Sequence, residues 1–534
     1  MLEQLKALSK ETLIYGTTTV VGRFLNFLLV PFYINVLDPK MYGVSTSMYA
    51  YISFINIIYT LGLEAAYFRY ASKGEGEKRS DKEERELFSS PFLFVLIFGG
   101  VLTAIAMLFA PQLVWLIFRD PKSDITPWVP SLTLLLRISA VIILLDSLNV
   151  IPFAALRIDR RAKWFGAIRL TGIALTLALN FLFILGMHKG VEGIFVANLI
   201  ASAAMMVMLG PTIWRRFELK IARPVMKKLL PFGLTNVPAY ISAMMVQVID
   251  RPIVQAYLGL AVLGIYQANY RMGFVMMVFV SLFEYAWRPF FLREARTNDA
   301  RARQLFSRVF TYFMLIACLA FLLLAFFLPE MLTVRLPIIH HAIFQKKEYL
   351  DGLSIIPVIL AAYIFQGMYT NFIAGIYIKE HNKVLPAITG IGAGVNIVTN
   401  IVLIPIMGIM GAALATLFAY MAMAAAIYRQ SQKVYPVPYD WARVGLLAGV
   451  VLLGYVVERL ITMSQILTGS TTLLLLRALI FGVVVLILFA RFFSKGEIAA
   501  IRALVGRGGS RAKPTTPLST PEPIELSEER KEGG

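Results

Sequence analysis

The stretch TYFMLIACLAFLLL at residues 311–324 carries no charged side chain and lies inside a mostly apolar run from 309 to 333. Such a run is typical of a membrane-spanning helix, because about 20 apolar residues cross the hydrocarbon core of a bilayer. Similar runs recur along the chain, in which hydrophobic residues make up 58% of 534 and charged residues only 16%. The mean hydropathy is +0.71. No soluble protein could bury so much apolar surface, so the sequence predicts an all-α polytopic membrane protein.

We predict fourteen transmembrane helices, arranged as two parallel six-helix bundles followed by two C-terminal helices. The chain divides into an N-terminal bundle at 1–214, a C-terminal bundle at 215–430, helices thirteen and fourteen at 431–492, and a tail at 493–534. The tail is rich in Gly, Pro, Ser and charge, which is typical of disorder. The predicted spans are 13–36, 42–66, 90–118, 129–155, 165–187, 191–214, 231–257, 262–291, 309–333, 354–378, 384–406, 410–428, 444–465 and 470–492.

Positively charged residues distinguish the two faces of the membrane. Loops 67–89, 157–164, 215–228 and 293–308 are basic, whereas alternate loops such as LDPKM at 37–41 are short and nearly uncharged. Basic loops stay in the cytoplasm, so both termini are predicted to be cytoplasmic, in a bacterial inner membrane. The net charge of +19 is then a topology signal spread over many loops, with some attraction to membrane lipids. The basic residues therefore do not form a single positively charged face that would bind nucleic acid.

An internal repeat relates the first six helices to the next six. LDPKMYGVSTSMY at 37–49 aligns with LGLAVLGIYQANY at 258–270, which pairs Gly43 with Gly264. At nearly the same offset, Glu64 aligns with Glu284 and Asn180 with Asn400. Six is an even number, so both copies enter the membrane in the same orientation and are related by an axis along the membrane normal. Such repeats usually enclose a central site.

Three segments resemble the polysaccharide-transporter, or oligosaccharide-flippase, branch of the multidrug/oligosaccharidyl-lipid/polysaccharide exporter superfamily. They are VGRFLNFLLVPFYINVL at 21–37, IDRPIVQAYLGLAVLGIYQANYRM at 249–272 and GVNIVTNIVLIPIMGIMGAALATLFAY at 394–420. The resemblance extends over 1–495, and its most specific residues are Asn400, Pro405, Gly411, Ala412 and Ala413.

The resemblance implies two six-helix bundles around a V-shaped cavity, with helices thirteen and fourteen appended. It also implies translocation of undecaprenyl-pyrophosphate-linked oligosaccharide, such as an O-antigen or other surface-polysaccharide repeat unit, from the cytoplasmic to the periplasmic leaflet. The expected partners are this polyprenyl-pyrophosphate-linked sugar, membrane lipids and polysaccharide-assembly proteins, and the expected carrier is a monomer. No cofactor, metal or nucleic acid is expected, and coupling to H⁺ or Na⁺ is left open.

Arginine outnumbers acid within the predicted membrane helices. An ionisable group at bilayer depth is costly and normally faces a bundle interior or a water-filled cavity. Guanidinium stays charged there and offers a planar fork of donors that matches phosphate oxygens, so the excess favours an anionic ligand. The arginines are Arg23, Arg137, Arg169, Arg251, Arg271, Arg288 and Arg477, and the acids are Asp146, Asp250, Glu64 and Glu284.

These charges fall into three expected roles. The residues expected to line the cavity and bind substrate are Arg23, Asn26, Arg137, Arg251 and Arg271. Asp146 and Asp250 are the candidates for ion coupling, although Asp250 and Arg251 could equally form a structural ion pair beside Pro252. Arg137 and Arg271 could instead pair with one of these acids. Glu64 with Arg69, and Glu284 with Arg288, are interpreted as gate or interface salt bridges, and Arg169 and Arg477 as structural.

Other functions compete with this interpretation. A flippase for the peptidoglycan precursor lipid II is the main alternative within the same superfamily. A multidrug antiporter is disfavoured because helix one contains Arg23 and no acid. An integral-membrane glycosyltransferase, polymerase or ligase on the same lipid carrier usually needs a sizeable periplasmic loop, but the longest outer loop here is 334–353. A structural scaffold does not explain the buried arginines, so we predict a transporter and not an enzyme.

The topology predicts the signals of two reporter fusions. A fusion at Gly259 should report the periplasm and a fusion at Gly534 the cytoplasm, because basic and weakly charged connections alternate along the chain. Alkaline phosphatase and green fluorescent protein are the matched reporters. The opposite signal at either site would contradict the orientation.

Overall fold

The computed structural model describes residues 21, 22, 24, 25, 27, 29–72, 79–118, 120–122, 124–297, 299–333, 343–464 and 470–493. Within these ranges the chain is helical and contains no β-strand. The tail predicted at 493–534 lies outside the described residues beyond its first position. The helices are α1 (ending at 36), α2 Pro39–Thr60, α3 Leu63–Ala71, α4 Asp81–Leu108, α5 Ala110–Ile117, α6 Val129–Ile158, α7 Ala162–Phe181, α8 Gly190–Arg216, α9 Arg223–Val248, α10 Asp250–Leu258, α11 Leu260–Tyr270, α12 Phe274–Thr297, α13 Asp299–Thr333, α14 Ile356–Ile378, α15 Leu385–Met407, α16 Ile409–Val434, α17 Trp441–Met463 and α18 Ser470–Arg491.

The helices confirm the predicted polytopic fold. In the described part of the chain, twelve helices are long and apolar enough to cross a membrane, and α2 with α3 forms a thirteenth span bent by 43°. Helix α1 coincides with the remaining predicted span, of which residues 13–20 lie outside the described ranges. We call the membrane face with the short, weakly charged loops the outer face and the opposite one the inner face.

Helix seven is interrupted near its outer end, as the proline at 252 predicts. It ends as α9 at Val248 and resumes as α10 at Asp250. Proline lacks an amide hydrogen and clashes with the preceding turn, so it is best accommodated in the first turn of a new helix. The break places Asp250 and Arg251 at the start of α10, where their side chains face the neighbouring helices.

Helices α2 and α11 cross near the outer face with their backbones in contact. A methyl group added to Gly43 would lie 1.8 Å from the carbonyl oxygen of Leu260, and one added to Gly264 would lie 2.0 Å from that of Pro39. The two contacts are reciprocal, and Gly43 and Gly264 are the glycines that the internal repeat aligns. We call this contact the outer seam. It joins the first six spans to the next six at a distance that only glycine permits.

Hydrogen bonds between the same two groups of helices surround the outer seam. The amide of Leu260 donates to Asp120 Oδ2 at 3.2 Å, so an acid that follows α5 caps the start of α11. Gln255 Nε2 of α10 donates to the carbonyl oxygen of Ile117 at 2.6 Å. Because unpaired donors at a helix start are costly inside a protein, these bonds help to hold the outer seam closed.

A second reciprocal contact lies toward the inner face, between α3 and α9. A methyl group on Gly62 would lie 2.4 Å from the carbonyl oxygen of Gly233, and one on Gly233 would lie 2.5 Å from that of Leu61. Leu61 and Gly62 have φ values of 44° and 68°, and this left-handed turn produces the bend between α2 and α3. We call this contact the inner seam. One bent span therefore meets the C-terminal bundle at both ends.

Helices α17 and α18 pack outside the two groups of six, against α13. Arg477 of α18 donates from Nε to Glu458 Oε1 at 2.7 Å and also pairs with Glu330 of α13. Arg477 and Glu458 are buried. This ion triad ties three helices together, in agreement with the structural role expected for Arg477.

Replacing Gly264 by alanine should lower the free energy of unfolding by about 1–3 kcal/mol, because the methyl group overlaps a backbone oxygen that no side-chain rotation can move. Thermal unfolding of the purified protein in detergent measures the change. Gly390→Ala is the matched control, because a methyl group there meets nothing within 4 Å. Helix propensity should make that control about 0.5–1 kcal/mol more stable. Equal behaviour of the two variants would contradict the close crossing.

Candidate functional site

Two adjoining cavities lie between the groups of helices. The large cavity, about 450 Å³, is lined mainly by α9–α12, α14 and α16, with Phe27 of α1 stacked on Phe274 at a centroid distance of 4.7 Å. A smaller one of about 150 Å³ is lined by α1 and α2, and we call it the tyrosine chamber after Tyr33, Tyr42 and Tyr49. The residues that line both cavities are Val248, Arg251, Gln267 and Arg271. Two arginines therefore stand where the cavities meet.

Arg251 is buried and has partners on several sides. Its Nε donates to Gln267 Oε1 at 3.0 Å, and its Nη1 lies 3.2 Å from Asp250 Oδ1. The guanidinium also lies over the ring of Tyr270, 5.3 Å from the centroid. Asp250 accepts a further hydrogen bond of 2.5 Å from the hydroxyl of Tyr266. The Asp250–Arg251 pair is thus the structural ion pair that the sequence left open, and it compensates the charge of Arg251.

Arg271 has no such compensation. It lies half-buried in the short turn Arg271–Gly273 between α11 and α12. No carboxylate in the described part of the chain forms an ion pair with it. Arg271 lines the tyrosine chamber together with Tyr33, Tyr42 and Tyr49. An uncompensated cation at membrane depth is costly and normally marks a functional site, so this position suits an anionic ligand.

The other residues expected in the cavity do not join these two. Arg23 and Asn26 lie outside the described residues. Arg137 is exposed on α6, on the same face as Leu134, and it lines neither the large cavity nor the tyrosine chamber. The helix buries Leu135 and Leu136 on its packed side, which turns Arg137 away from that side. The structure therefore does not bring Arg137 to Arg251 and Arg271.

The two candidates for ion coupling have different surroundings. Asp250 is held by Arg251 and Tyr266, as described above. Asp146 of α6 accepts a hydrogen bond of 2.6 Å from Ser202 Oγ and forms no ion pair within the described ranges. Arg169 contributes a positive charge nearby, while its guanidinium lies over the ring of Phe153 at 4.1 Å from the centroid. Asp146 is therefore the acid whose charge is less firmly compensated.

Glu64 forms a salt bridge between helices, as expected, but its partner is not Arg69. Glu64 Oε1 lies 3.2 Å from Nη1 of Arg157, on α6, while Arg69 lies over the ring of Phe232 at 4.6 Å from the centroid. The physical reason is helical geometry, because residues five apart on one helix point roughly 140° away from each other. Glu64 therefore links α3 to α6, and Arg69 contacts α9 near the inner seam.

Glu284 and Arg288 are four apart on α12, yet they form no salt bridge in the described structure, contrary to expectation. Arg288 lies over the ring of Tyr377 on α14, 4.6 Å from the centroid. Glu284 is exposed and lines the large cavity. The cation–π contact of Arg288 with Tyr377 thus takes the place of the expected salt bridge to Glu284. Glu284 lies at the wall of the large cavity instead.

A polar face on α2 was not among the predicted site features. Its hydroxyl-bearing residues recur at helical spacing, which was a readable signal in a span that should otherwise be apolar. Five of them line the tyrosine chamber. They are Tyr42, Ser45, Thr46, Tyr49 and Ser53. Gln267 was also missed, because an isolated glutamine carries no periodic signal.

Residues 35–337, more than half of the chain, match the model of a family described as "Polysaccharide biosynthesis protein". No curated protein matches the chain significantly.

Solved structures share the fold at low sequence identity. The chain is similar to "Lipid II flippase MurJ, inward closed conformation", with a TM-score of 0.66 and 19% identity over 92% of this chain and 100% of that one. It is also similar to an inward-facing "multidrug resistance MATE family transporter of the MOP superfamily", with a TM-score of 0.57 and 14% identity over 80% and 96%. A MOP superfamily transporter from Pyrococcus furiosus has a TM-score of 0.51 and 13% identity over 82% and 96%. These likenesses confirm the fold that the resemblance implied.

Paired and unpaired arginines should respond in opposite ways to replacement by methionine. Arg477→Met leaves buried Glu458 without its cation, so the free energy of unfolding should fall by about 3–5 kcal/mol. Arg271→Met removes a cation that lacks a carboxylate partner, so stability should be unchanged or higher. Chemical denaturation in detergent without substrate measures both. A large loss for Arg271→Met would show that Arg271 has a structural role.

Proposed function

The chain belongs to the polysaccharide biosynthesis protein family, and we propose that it is a flippase for an anionic lipid-linked sugar. The substrate is an undecaprenyl-pyrophosphate-linked oligosaccharide, an O-antigen or other surface-polysaccharide repeat unit. The carrier moves its headgroup from the cytoplasmic to the periplasmic leaflet of a bacterial inner membrane by alternating access. Both chain termini then lie in the cytoplasm.

The observation that carries this proposal is the uncompensated charge of Arg271 beside Arg251 at the junction of two cavities. A diphosphate has oxygens on both phosphorus atoms and can accept paired hydrogen bonds from planar guanidinium groups. In a site shielded from water these bonds are stronger than the same contacts in bulk solvent. A positively charged site disfavours a cationic drug for the same electrostatic reason.

The two seams supply the gates that alternating access requires. When the outer seam is closed and the inner seam opens, the headgroup reaches the arginines from the inner face, and the lipid tail stays in the bilayer. Opening of the outer seam and closure toward the inner face then expose the headgroup to the periplasm. Rigid-body rocking of one bundle against the other accomplishes this exchange without leaving a charge in hydrocarbon.

The driving force enters through Asp146 in this proposal. Coupling to H⁺ or Na⁺ needs a carboxylate whose charge can be neutralised during the cycle. The salt bridge to Arg251 compensates the charge of Asp250, whereas the direct partner of Asp146 in the described structure is a hydroxyl donor, Ser202. The different surroundings of the two acids favour Asp146.

Arg271→Ala should abolish flipping of a fluorescent undecaprenyl-pyrophosphate-linked oligosaccharide in proteoliposomes, because the diphosphate loses an unshared cation. Arg271→Lys should reduce flipping at least about tenfold, since lysine keeps the charge but loses the planar fork. Arg137→Ala is the matched control and should flip at the wild-type rate, because Arg137 lines neither cavity. Wild-type flipping by Arg271→Ala would refute the substrate site.

The same assay separates the competing functions. Faster flipping of lipid II than of the oligosaccharide would assign the protein to cell-wall synthesis, and export of a cationic drug would assign it to drug efflux. Transfer of sugar to or from the lipid carrier by the purified protein would identify an enzyme. Neither of these last two results is compatible with the proposed role.

Asp146→Asn should flip substrate at a rate that no longer responds to an imposed proton or sodium gradient, because an amide cannot gain or lose the charge. Asp250→Asn should lower flipping by a similar factor with and without a gradient, because it releases Arg251. Asp351→Asn, an exposed substitution, is the control. Full gradient dependence in Asp146→Asn would exclude Asp146 as the coupling group.

A further inference from the structure

The tyrosine chamber is a small compartment that opens beside the two arginines. Its volume of about 150 Å³ is a third of the 450 Å³ of the large cavity, and Arg251, Gln267 and Arg271 line both. Binding pockets for drug-sized molecules are usually about 300–1,000 Å³. The chamber is therefore too small for an oligosaccharide and suits a single small group that is attached to whatever the arginines bind.

Two hydroxyl groups in the chamber have no partner within the described structure. Tyr42 is 3% exposed and Thr46 is 7% exposed, and both side chains line the chamber. Neither the phenol of Tyr42 nor the hydroxyl of Thr46 makes a hydrogen bond to a described residue. Buried polar groups are nearly always paired, with protein, water or ligand. These two hydroxyls can each donate to and accept from a ligand in the chamber.

The aromatic walls of the chamber are held in fixed positions. Tyr33 donates its hydroxyl hydrogen to Asn180 Oδ1 at 2.9 Å, and Tyr49 accepts from Asn198 Nδ2 at 2.9 Å. The ring of Tyr49 also stacks on Phe195, with a centroid distance of 5.1 Å and an interplanar angle of 16°. Walls of this kind offer flat apolar faces without the entropy cost of ordering side chains on binding. The chamber thus combines rigid rings with free hydroxyls.

A sugar ring matches this combination, because its axial hydrogens form an apolar face and its hydroxyls both donate and accept. We propose that the tyrosine chamber binds the one sugar that is linked directly to the pyrophosphate. The diphosphate lies between Arg251 and Arg271, and the more distant sugars extend into the large cavity. This inference rests on the proposed function, and it makes the chamber the part of the protein that distinguishes substrates by their first sugar.

Two probes separate the chamber from the diphosphate site: undecaprenyl pyrophosphate without sugar, and undecaprenyl pyrophosphate carrying one hexose, tested as a panel of glucose, galactose and N-acetylglucosamine. Their dissociation constants are measured on the full-length protein in nanodiscs. Tyr42→Phe and Thr46→Val remove a hydroxyl while keeping the shape of the side chain. Tyr257→Phe is the control, because Tyr257 is 44% exposed and lines neither cavity.

The wild-type protein should bind at least one glycosylated probe more tightly than the sugar-free probe. Tyr42→Phe and Thr46→Val should each lower the affinity for that preferred probe by about three- to tenfold, as expected for the loss of one hydrogen bond. Their affinity for the sugar-free probe should not change. Arg271→Ala should lower the affinity for both probes, and Tyr257→Phe should change the affinity for neither.

The remaining outcomes overturn one claim or the other. Unchanged affinity of Tyr42→Phe and Thr46→Val for every glycosylated probe would show that the chamber holds only water. An equal loss of affinity for the glycosylated and the sugar-free probe would show that the hydroxyls contact the diphosphate. That result too would overturn the inference, but it would leave the proposed function intact. If the wild-type protein binds neither probe, or if Arg271→Ala binds both normally, the proposed function itself fails.

Discussion

The contact of backbone on backbone between Gly43 and Gly264 sets the geometry on which the rest of this protein depends. Helices in a membrane gain little from burying apolar side chains against one another, because the surrounding lipid is equally apolar. Close packing and interhelical hydrogen bonds must hold the two bundles together instead. At the outer seam two glycines let each backbone approach the carbonyl of the other, and Asp120 caps the adjoining helix. This crossing brings α2 opposite α11, and it thereby places the tyrosine chamber beside Arg271.

Charge within the membrane is managed in two different ways. Arg477 meets two carboxylates and Arg251 meets one, so these cations contribute to the packing of helices. Arg271 forms no ion pair with a carboxylate in the described structure, and burial without a paired counter-ion costs stability. Such a cost persists where it serves a function, and an anionic ligand removes it on binding. An arginine that lines a cavity and lacks a carboxylate partner is therefore a better guide to the site than the count of arginines.

The sequence pattern predicted the surroundings of some residues correctly and those of others incorrectly. The break before Pro252 was predictable, because the chemistry of proline is local. The pairing of Glu64 with Arg69 failed, because five residues on a helix turn the two side chains apart and Arg157 approaches from α6 instead. Arg137 and Arg271 looked alike in sequence, each an arginine within an apolar run. Of these two, only Arg271 lines the cavities, because the direction of a side chain depends on which face of its helix the neighbouring helices cover.

The sequence by itself determined the all-helical membrane fold, and it predicted fourteen spans, an internal repeat and an anionic substrate. Those properties follow from hydrophobic length, charge bias and residue type, which are readable one segment at a time. The tertiary structure alone decided which unpaired arginine lines the cavities, that Gly43 and Gly62 meet α11 and α9, and that hydroxyls of α2 line a chamber beside Arg271. These properties require distances between helices far apart in the chain, and no local pattern of residues specifies how two such helices are rotated against each other.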